Sequence, residues 1–537
     1  MSFVFAPNGM TAFPATQQNV PVVQAVGGRV TDVNGVAMCA VPTTLEHAHA
    51  CWEGGVYFPG PIQNRALFNW PSVEGYEPME HQVYTSDFMT VHPRSFCLNT
   101  PGTGKTASAL WAAMFMRRQG KIDLTIVISP LSCIEDVWVP ELNNIDPLSS
   151  VAIAHGANKM RAVAAKRDYI LLNHDGVSNQ KLNDALAELQ RTYRIFVIVD
   201  EATAYKNWQA SRTRNAAKIS NALTRTRVCL MTGTPHPKDP TDIYGMCRIR
   251  DPKSVPSSFG KWRNTVMYNP YGFKWVPRDD ASEHIKRAMH PAICFEGKDC
   301  IELPPRYDFG FGHTPVTGSD FASRNLHLTD EQEQLIKQLK DEAIVMLDNG
   351  VLTAQNAAIL RGKLFQIAQG VVLLEDKTEH EVDCSPRTND LMLALTTRRK
   401  KFIVFCSYKA VQRRVHRMLE AKGFNVGIVN GDTAKGKRRK IFDRYESDAS
   451  FDGIVAHPET MAHGLNLTQG DLTYWWGPPQ KPDHFDQGNH RQYRKGQDSA
   501  VNIWAAAAAP EEAAYFDTLL ERGDLEKLTR SFFVPTK

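Results

Sequence analysis

None of the ten cysteines of this 537-residue chain forms a CxxC pair, and Cys294 and Cys300, the closest pair late in the chain, have no His or Cys pair nearby. A structural zinc site is therefore not expected, and free thiols in a reducing compartment are the reading that remains. No apolar run approaches the ~18 residues that a membrane span requires. The opening residues MSFVFAPNGMTAFPATQQNV lack both a basic start and a long apolar stretch, so they are not read as a secretory signal. No repeat of about 20 to 50 residues and no long low-complexity tract is visible. Charge of one sign is scarce too: 62 Lys plus Arg stand against 58 Asp plus Glu, a net of +4. That excludes a globally basic protein, so any basic surface must be local. The expectation is a cytoplasmic protein without membrane association, in a host cytoplasm were the chain viral.

What is present is ordinary globular usage, 42% hydrophobic and 22% charged, which excludes a mainly disordered chain. At roughly 150 residues per domain the length fits about three or four domains. Residues 1–75 are rich in Gly, Pro, Val and aromatics, and VPVVQAV and GGVYFPG read as short strands and turns of a small accessory domain containing β structure. Over 76–255, short β-branched runs (SFCLN, LTIVISP, YILLNHD, IFVIVDE, RVCLMTG) alternate with helical stretches. Strands apolar on both faces predict a parallel sheet with its functional loops at the strands' carboxyl ends. Residues 256–385 break the alternation and read as a helical insertion and connector, with helices in DEQEQLIKQLKDEAIVML and AQNAAILRGKLFQIAQG. The alternation returns over 386–537, in KFIVFCS, NVGIVNG, FDGIVAH, DLTYWW and SAVNIWAAAAA. The fold class is therefore α/β, with two parallel-sheet lobes.

The strongest local signal is Asn99-Thr-Pro-Gly-Thr-Gly-Lys-Thr106, which follows a predicted strand and opens a predicted helix. Gly102, Thr103 and Gly104 would let backbone amides wrap a phosphate at the positive end of the helix dipole. Lys105 would reach the β- and γ-phosphates of ATP, and the Thr106 hydroxyl would ligate Mg²⁺. Asn99 stands where the general phosphate-loop pattern has Gly. The alternative is a glycine-rich turn. In Ile195–Thr203 an apolar strand runs into Asp200 and Glu201. Asp200 is placed to hold Mg²⁺ through water and Glu201 to orient the attacking water, although an acidic N-cap after a strand is common. A third strand ends in Leu230-Met-Thr-Gly-Thr-Pro235, whose hydroxyls could sense the γ-phosphate. Arg491 and Arg494 lie three apart and on a helix would share a face. They are candidate arginine fingers, and a solvated basic helix is the plainer reading.

In this order the motifs resemble those of superfamily 2 helicases, and more narrowly of Swi/Snf-like DNA-dependent ATPases, over about residues 75 to 510. Glu80-His-Gln82 is similar to the adenine-reading glutamine motif, with Gln82 as the reader. VISPLSCIEDVWVPEL, with Trp138 and Glu141, is similar to the family's segment after the second strand. DEATAYKNWQASRTR resembles the "DEAH, K-N, S" block, with Thr203 in place of His. Ala462-His-Gly464-Leu-Asn466-Leu-Thr468 is similar to the "G-L-N-L" motif, and QGNHRQYRKGQ to the closing arginine motif. The resemblance implies two RecA-like lobes, ATP and Mg²⁺ as cofactors, and Gly464 and Asn466 near the nucleotide. It also implies DNA across the face carrying the Ser132, Thr232 and Thr468 loops.

Phosphate contacts there would bind DNA without sequence readout. Arg398–Lys401 and Lys435–Lys440 are basic runs that could join such a surface, although charge runs are more often solvated faces. Trp475 and Trp476 could stack on a base, but core packing is the commoner role for paired tryptophans. The function expected is an ATP-dependent translocase or helicase acting on double-stranded or forked DNA. An RNA-dependent helicase of the same superfamily, an ATP-regulated binding module and a motor subunit of a larger complex stay open as alternatives.

Overall fold

The computed structural model describes residues 4–6, 10–33, 35–42, 47, 50–51, 54, 56, 77–223, 225–233, 240–270, 275–309, 326–348, 354–373, 378–461 and 467–519. The chain divides into two compact units, with the division between Cys300 and Ile301.

In the first unit β1 (Val4–Ala6), β2 (Met10–Pro14), β3 (Arg29–Val33) and β4 (Val36–Pro42) form a small antiparallel sheet in the order β1-β2-β4-β3. VPVVQAV, expected as a strand, is instead the helix Asn19–Ala25. Pro21 lies in its first turn, where its missing N–H breaks no helical bond, and only Val23 is fully buried. One-sided burial over seven residues overrides the β preference of valine. Phe13, Val23, Cys39, Val41, Cys51 and Val56 pack in one core with Trp111, Met114 and Phe115 of the helix Lys105–Arg118. The described part of residues 1–75 is therefore continuous with the unit that follows.

That unit is built on seven parallel strands: β5 (Arg94–Cys97), β6 (Leu124–Ser129), β7 (Val151–Ala154), β8 (Tyr169–Asn173), β9 (Ile195–Val199), β10 (Arg227–Met231) and, beyond the short hairpin of β11 (Met267–Tyr268) and β12 (Val276–Pro277), β13 (Ala292–Ile293). Their order is β13-β5-β10-β9-β6-β8-β7. Alternate side chains feed two separate cores. Ile195, Val197 and Val199 enter one, and Phe196 and Ile198 the other. The interior strands are dry on both faces, and the charged residues of the sheet, Arg94 and Arg227, stand only at strand ends.

The second unit carries six parallel strands: β14 (Arg306–Phe309) and, after the hairpin of β15 (Val371–Leu373) and β16 (Glu379–Glu381), β17 (Lys401–Phe405), β18 (Val426–Val429), β19 (Gly453–Ala456), β20 (Gly470–Trp475) and β21 (Val501–Ala505). The order is β14-β21-β20-β17-β19-β18. The expected α/β architecture thus holds in both units. The stretch 256–385, read as a connector, is divided between them: β13 extends the first sheet and β14 the second. Strands of two and four residues are too short to show a period, which is why the sequence reading passed over them. The two expected helices are present as Asp330–Asp348 and Ala354–Ala368. Trp475 and Trp476 are buried. The Trp475 indole stacks on Phe405 at 4.5 Å and donates to Asn489, while Trp476 donates to the Gln369 carbonyl. Their work is packing.

A buried ion pair joins the carboxyl ends of the second sheet's central strands to the elements around them. Arg387, near the start of the helix Ser385–Thr396, meets Glu512 at 2.5 Å, with side chains 1% and 0% exposed. Arg387 also donates to the Trp476 and Ala506 carbonyls. Glu512 accepts from the Ala508 and Ala509 amides, closing the start of the last described helix. Removing one partner strands the other as a buried charge. Arg387→Met is expected to destabilise the second unit by about 3–5 kcal/mol, and adding Glu512→Gln to recover part of that loss, as read by urea unfolding.

Candidate active site

Three loops meet at the carboxyl ends of β5, β10 and β9, which are consecutive neighbours in the first sheet. The outer two strands are about 10 Å apart, two inter-strand spacings of ~4.8 Å. After β5 the chain enters 99–104 and then the helix Lys105–Arg118. Gly102 and Gly104 sit at φ +86° and +77°, in the left-handed region where a side chain is strained. A Cβ on Gly104 would also come within 1.9 Å of the Gln82 amide nitrogen. The left-handed turn at Gly104, the residue that caps the helix, leads straight into the first-turn amides.

The loop is fastened from below. Asn99 is 1% exposed; its amide donates to Thr85 Oγ1 at 2.9 Å and accepts from the Phe295 amide at 2.9 Å. Thr100 bonds Phe295 and Gly297 in turn. The Lys105 ammonium lies on the Asn99 carbonyl at 2.8 Å and the Thr100 carbonyl at 3.3 Å. Asn99 thus takes the place of the pattern's Gly because the position is an anchor. Thr103 is buried with its hydroxyl on the Thr100 carbonyl, so its contribution is loop shape. Gln82 is 4% exposed: Oε1 accepts from the Met79 amide and Nε2 donates to the Thr103 carbonyl at 3.4 Å. In this conformation the expected adenine reader braces the loop, alongside His81 on the same carbonyl.

Asp200 and Glu201 follow β9 directly. Asp200 is 8% exposed, and its Oδ2 accepts from Ser129 Oγ and Trp138 Nε1, both at 3.0 Å. Its Oδ1 accepts from the Glu201 amide at 3.0 Å. Glu201 sits at φ +47°, a left-handed conformation that is uncommon outside Gly and that clusters at functional sites. Thr203 is buried. From β10, Thr232 donates its amide to the Cys97 carbonyl and is 0% exposed, while a Cβ on Gly233 would press into Pro101. The third loop therefore packs on the first. Thr106 and Asp200 supply a hydroxyl and a carboxylate, hard oxygen donors of the kind Mg²⁺ takes beside phosphate oxygens. Among the described residues no group of three or more His, Cys, Asp or Glu could hold a metal by itself.

The candidate nucleic-acid residues divide by exposure. Ser132 is half-buried, Thr468 is 9% exposed, and the Thr232 side chain is enclosed. Gly464 and Asn466 lie outside the described residues. In the second unit Arg491 is 6% exposed, with Nε on the Gln487 carbonyl, and burial lowers the pKa of the Arg494 guanidinium. The pair does not share a helix. The helix Pro482–Asn489 ends before them, and 490–496 is a chain of turns. Gln492 sets that course: fully buried, it bonds Thr473 and Tyr445 and pulls the backbone down onto β20.

Sequence reasoning missed the segment 293–297 as the floor of the phosphate loop, because it arrives almost 200 residues later with no motif of its own. It noted Trp138 only as part of a resemblance. The contact with Asp200 has no signal in the spacing.

The SNF2-related domain family matches residues 97–304, and the helicase conserved C-terminal domain matches 387–496. The chain is 22% identical over 426 residues to the SWI/SNF-related matrix-associated actin-dependent regulator of chromatin subfamily A-like protein 1 of Xenopus tropicalis, across 75% of this chain and 39% of the relative. It is 22% identical over 377 residues to the bifunctional helicase and thymine dioxygenase JBP2 of Leishmania infantum, across 62% of this chain and 33% of the relative. It therefore spans well under half the length of these curated relatives. Among solved structures, the Sulfolobus solfataricus SWI2/SNF2 ATPase core in complex with dsDNA is similar at 19% identity and a TM-score of 0.40, over 87% of this chain and 96% of that one. The protein thus carries, in one chain and in this order, an SNF2-related domain and a helicase conserved C-terminal domain.

Proposed function

We propose that the chain is an ATP-driven DNA translocase, hydrolysing ATP to ADP and phosphate while it moves on or remodels duplex or forked DNA. The observation that carries this reading is the meeting of the left-handed glycine loop, the Asp200–Glu201 pair and the Thr232 loop on three adjacent strand ends. Such a constellation suits a nucleoside triphosphate, whose charge the loop amides, helix dipole and Lys105 would share. Lys105 would leave the Asn99 and Thr100 carbonyls for phosphate oxygens, a stronger charge-assisted bond. Thr106 and Asp200 would hold Mg²⁺, which neutralises charge developing on the transferred phosphoryl group. Glu201 would orient the attacking water, and Arg491 and Arg494 would act on the same nucleotide as arginine fingers.

DNA as the partner draws support from the relatives' names, which speak of chromatin and of thymine, and from one basic run. Arg398 is paired with Asp452, Lys400 with Asp498, and Lys401 with the Tyr445 and Asp448 carbonyls, so that run works within the fold. The second run differs. Lys437, Arg439 and Lys440 are exposed in the first two turns of the helix Lys435–Ser447. Cations there oppose the helix dipole, at about 0.3–1 kcal/mol each. A polyanion would turn that cost into binding.

Two outcomes are expected. In steady-state assays duplex or forked DNA stimulates ATP hydrolysis well above RNA or no nucleic acid, and Lys105→Ala or Glu201→Gln abolishes the stimulated rate while circular dichroism stays unchanged. Full activity in folded Lys105→Ala would remove the site assignment. In binding isotherms across a salt series, replacing Lys437, Arg439 and Lys440 together by Ala weakens DNA binding alike for all sequences. It also flattens the log–log salt slope by about 2–3 units, at ~0.9 per lost phosphate contact. An unchanged slope takes the run out of the interface.

A further inference from the structure

Asp200 is the only acidic side chain proposed here to face the metal, and the structure controls which of its two oxygens can do so. Oδ2 accepts from Ser129 Oγ and from Trp138 Nε1, both at 3.0 Å, which fills its two lone-pair directions. Oδ1 accepts one bond, from the Glu201 amide. One acceptor direction, on Oδ1, is left over.

The two donors come from one stretch of chain. Ser129 ends β6, the strand beside β9, so its hydroxyl lies across the sheet from Asp200. Trp138 follows nine residues later at the end of a π-helical turn, Ile134–Trp138, set between the α-helical segments Leu131–Cys133 and Val139–Ile145. The turn has a cause in the sequence. Pro140 has no N–H to give to the Asp136 carbonyl, and its ring crowds that carbonyl, so the helix widens just before it. Trp138 is fully buried, yet its only polar atom reaches a carboxylate 62 residues further on. A tryptophan required for apolar packing alone would not need that contact, and a phenylalanine could fill much of the same core.

Resting on the nucleotide-site reading above, we propose that Ser129 and Trp138 are positioning residues that lock the Asp200 carboxylate so that Oδ1 is the oxygen presented to the hydrated divalent cation. They touch neither nucleotide nor metal. Partners that orient a metal-facing group in this way commonly change metal affinity by roughly 10–100-fold when lost. Their loss should therefore fall on the metal dependence of nucleotide binding and spare the metal-free binding step, which depends on the loop and Lys105.

The test uses the full chain and a fluorescent, non-hydrolysable ATP analogue, titrated in EDTA and across a Mg²⁺ series, with Mn²⁺ binding followed by EPR. Trp138→Phe keeps a ring and deletes the donor. Ser129→Ala deletes the other donor with little change of volume and serves if the first variant unfolds. The expected result is EDTA affinity within two-fold of the unaltered chain, with the Mg²⁺ midpoint and the Mn²⁺ dissociation constant raised roughly ten-fold in either variant. Unshifted midpoints in folded variants overturn this inference and leave the nucleotide site standing. Equal losses in EDTA and in Mg²⁺ also overturn it, because they mark a general structural role. An unaltered chain whose analogue binding ignores Mg²⁺ defeats the nucleotide-site reading, and the inference with it.

Discussion

Parallel strands buried on both faces have one place left for chemistry. Each interior residue of β9 enters a core, Phe196 and Ile198 on one side and Ile195, Val197 and Val199 on the other. A charge at any of those positions would be stranded in apolar surroundings. The carboxylates therefore follow the last apolar residue, as do Thr232 after β10 and the glycine loop after β5. Strand order then does what sequence distance conceals: residues near 100, 200 and 232 become neighbours because their strands are.

The polar groups so gathered are held by donors and acceptors that are themselves buried. Asn99 ties the glycine loop to Thr85 and Phe295, and Asp200 is tied to Ser129 and Trp138. Satisfied buried networks of this kind rigidify, whereas a partly satisfied one loses the full desolvation cost of whatever is left unpaired. The second unit uses the same device in ionic form, with Arg387 and Glu512 meeting where the ends of β20 and β21, the start of one helix and the start of another converge. In each case a single polar side chain fixes several backbone segments at once.

Much of this could be read from the sequence, because runs such as IFVIVDE carry both the strand and the reason for its end. The glycine loop, the acidic pair and the order of the later motifs were legible for the same cause: local spacing and local chemistry coincide. What escaped had no local signature. VPVVQAV has the composition of a strand, and becomes a helix that buries one face, with Val23 fully enclosed and Val20, Val22 and Val26 packed against the same core. Ala292–Ile293 is two residues long, yet it completes the first sheet. Arg491 and Arg494 have helical spacing, but Gln492 is drawn inward to Thr473 and Tyr445 and the helix stops first. Trp138 advertises itself as a large apolar residue and acts through one N–H. Pairings across long sequence separations were the illegible part.

The bond from the Phe295 amide to Asn99 spans 196 residues, and that separation bears on how the protein is made. On the ribosome the glycine loop is synthesised early, but its floor is not. At about 5–20 residues per second, roughly 10–40 s pass between the loop and the segment that anchors it. Once β10 has emerged, β5 is an edge strand on the side later taken by β13, with Leu98 and Thr100 still lacking their carbonyl partners Ile293 and Phe295. The nascent first unit thus offers an open sheet edge beside its own unfinished phosphate loop, and a pause in translation before residue 292 would prolong that exposure.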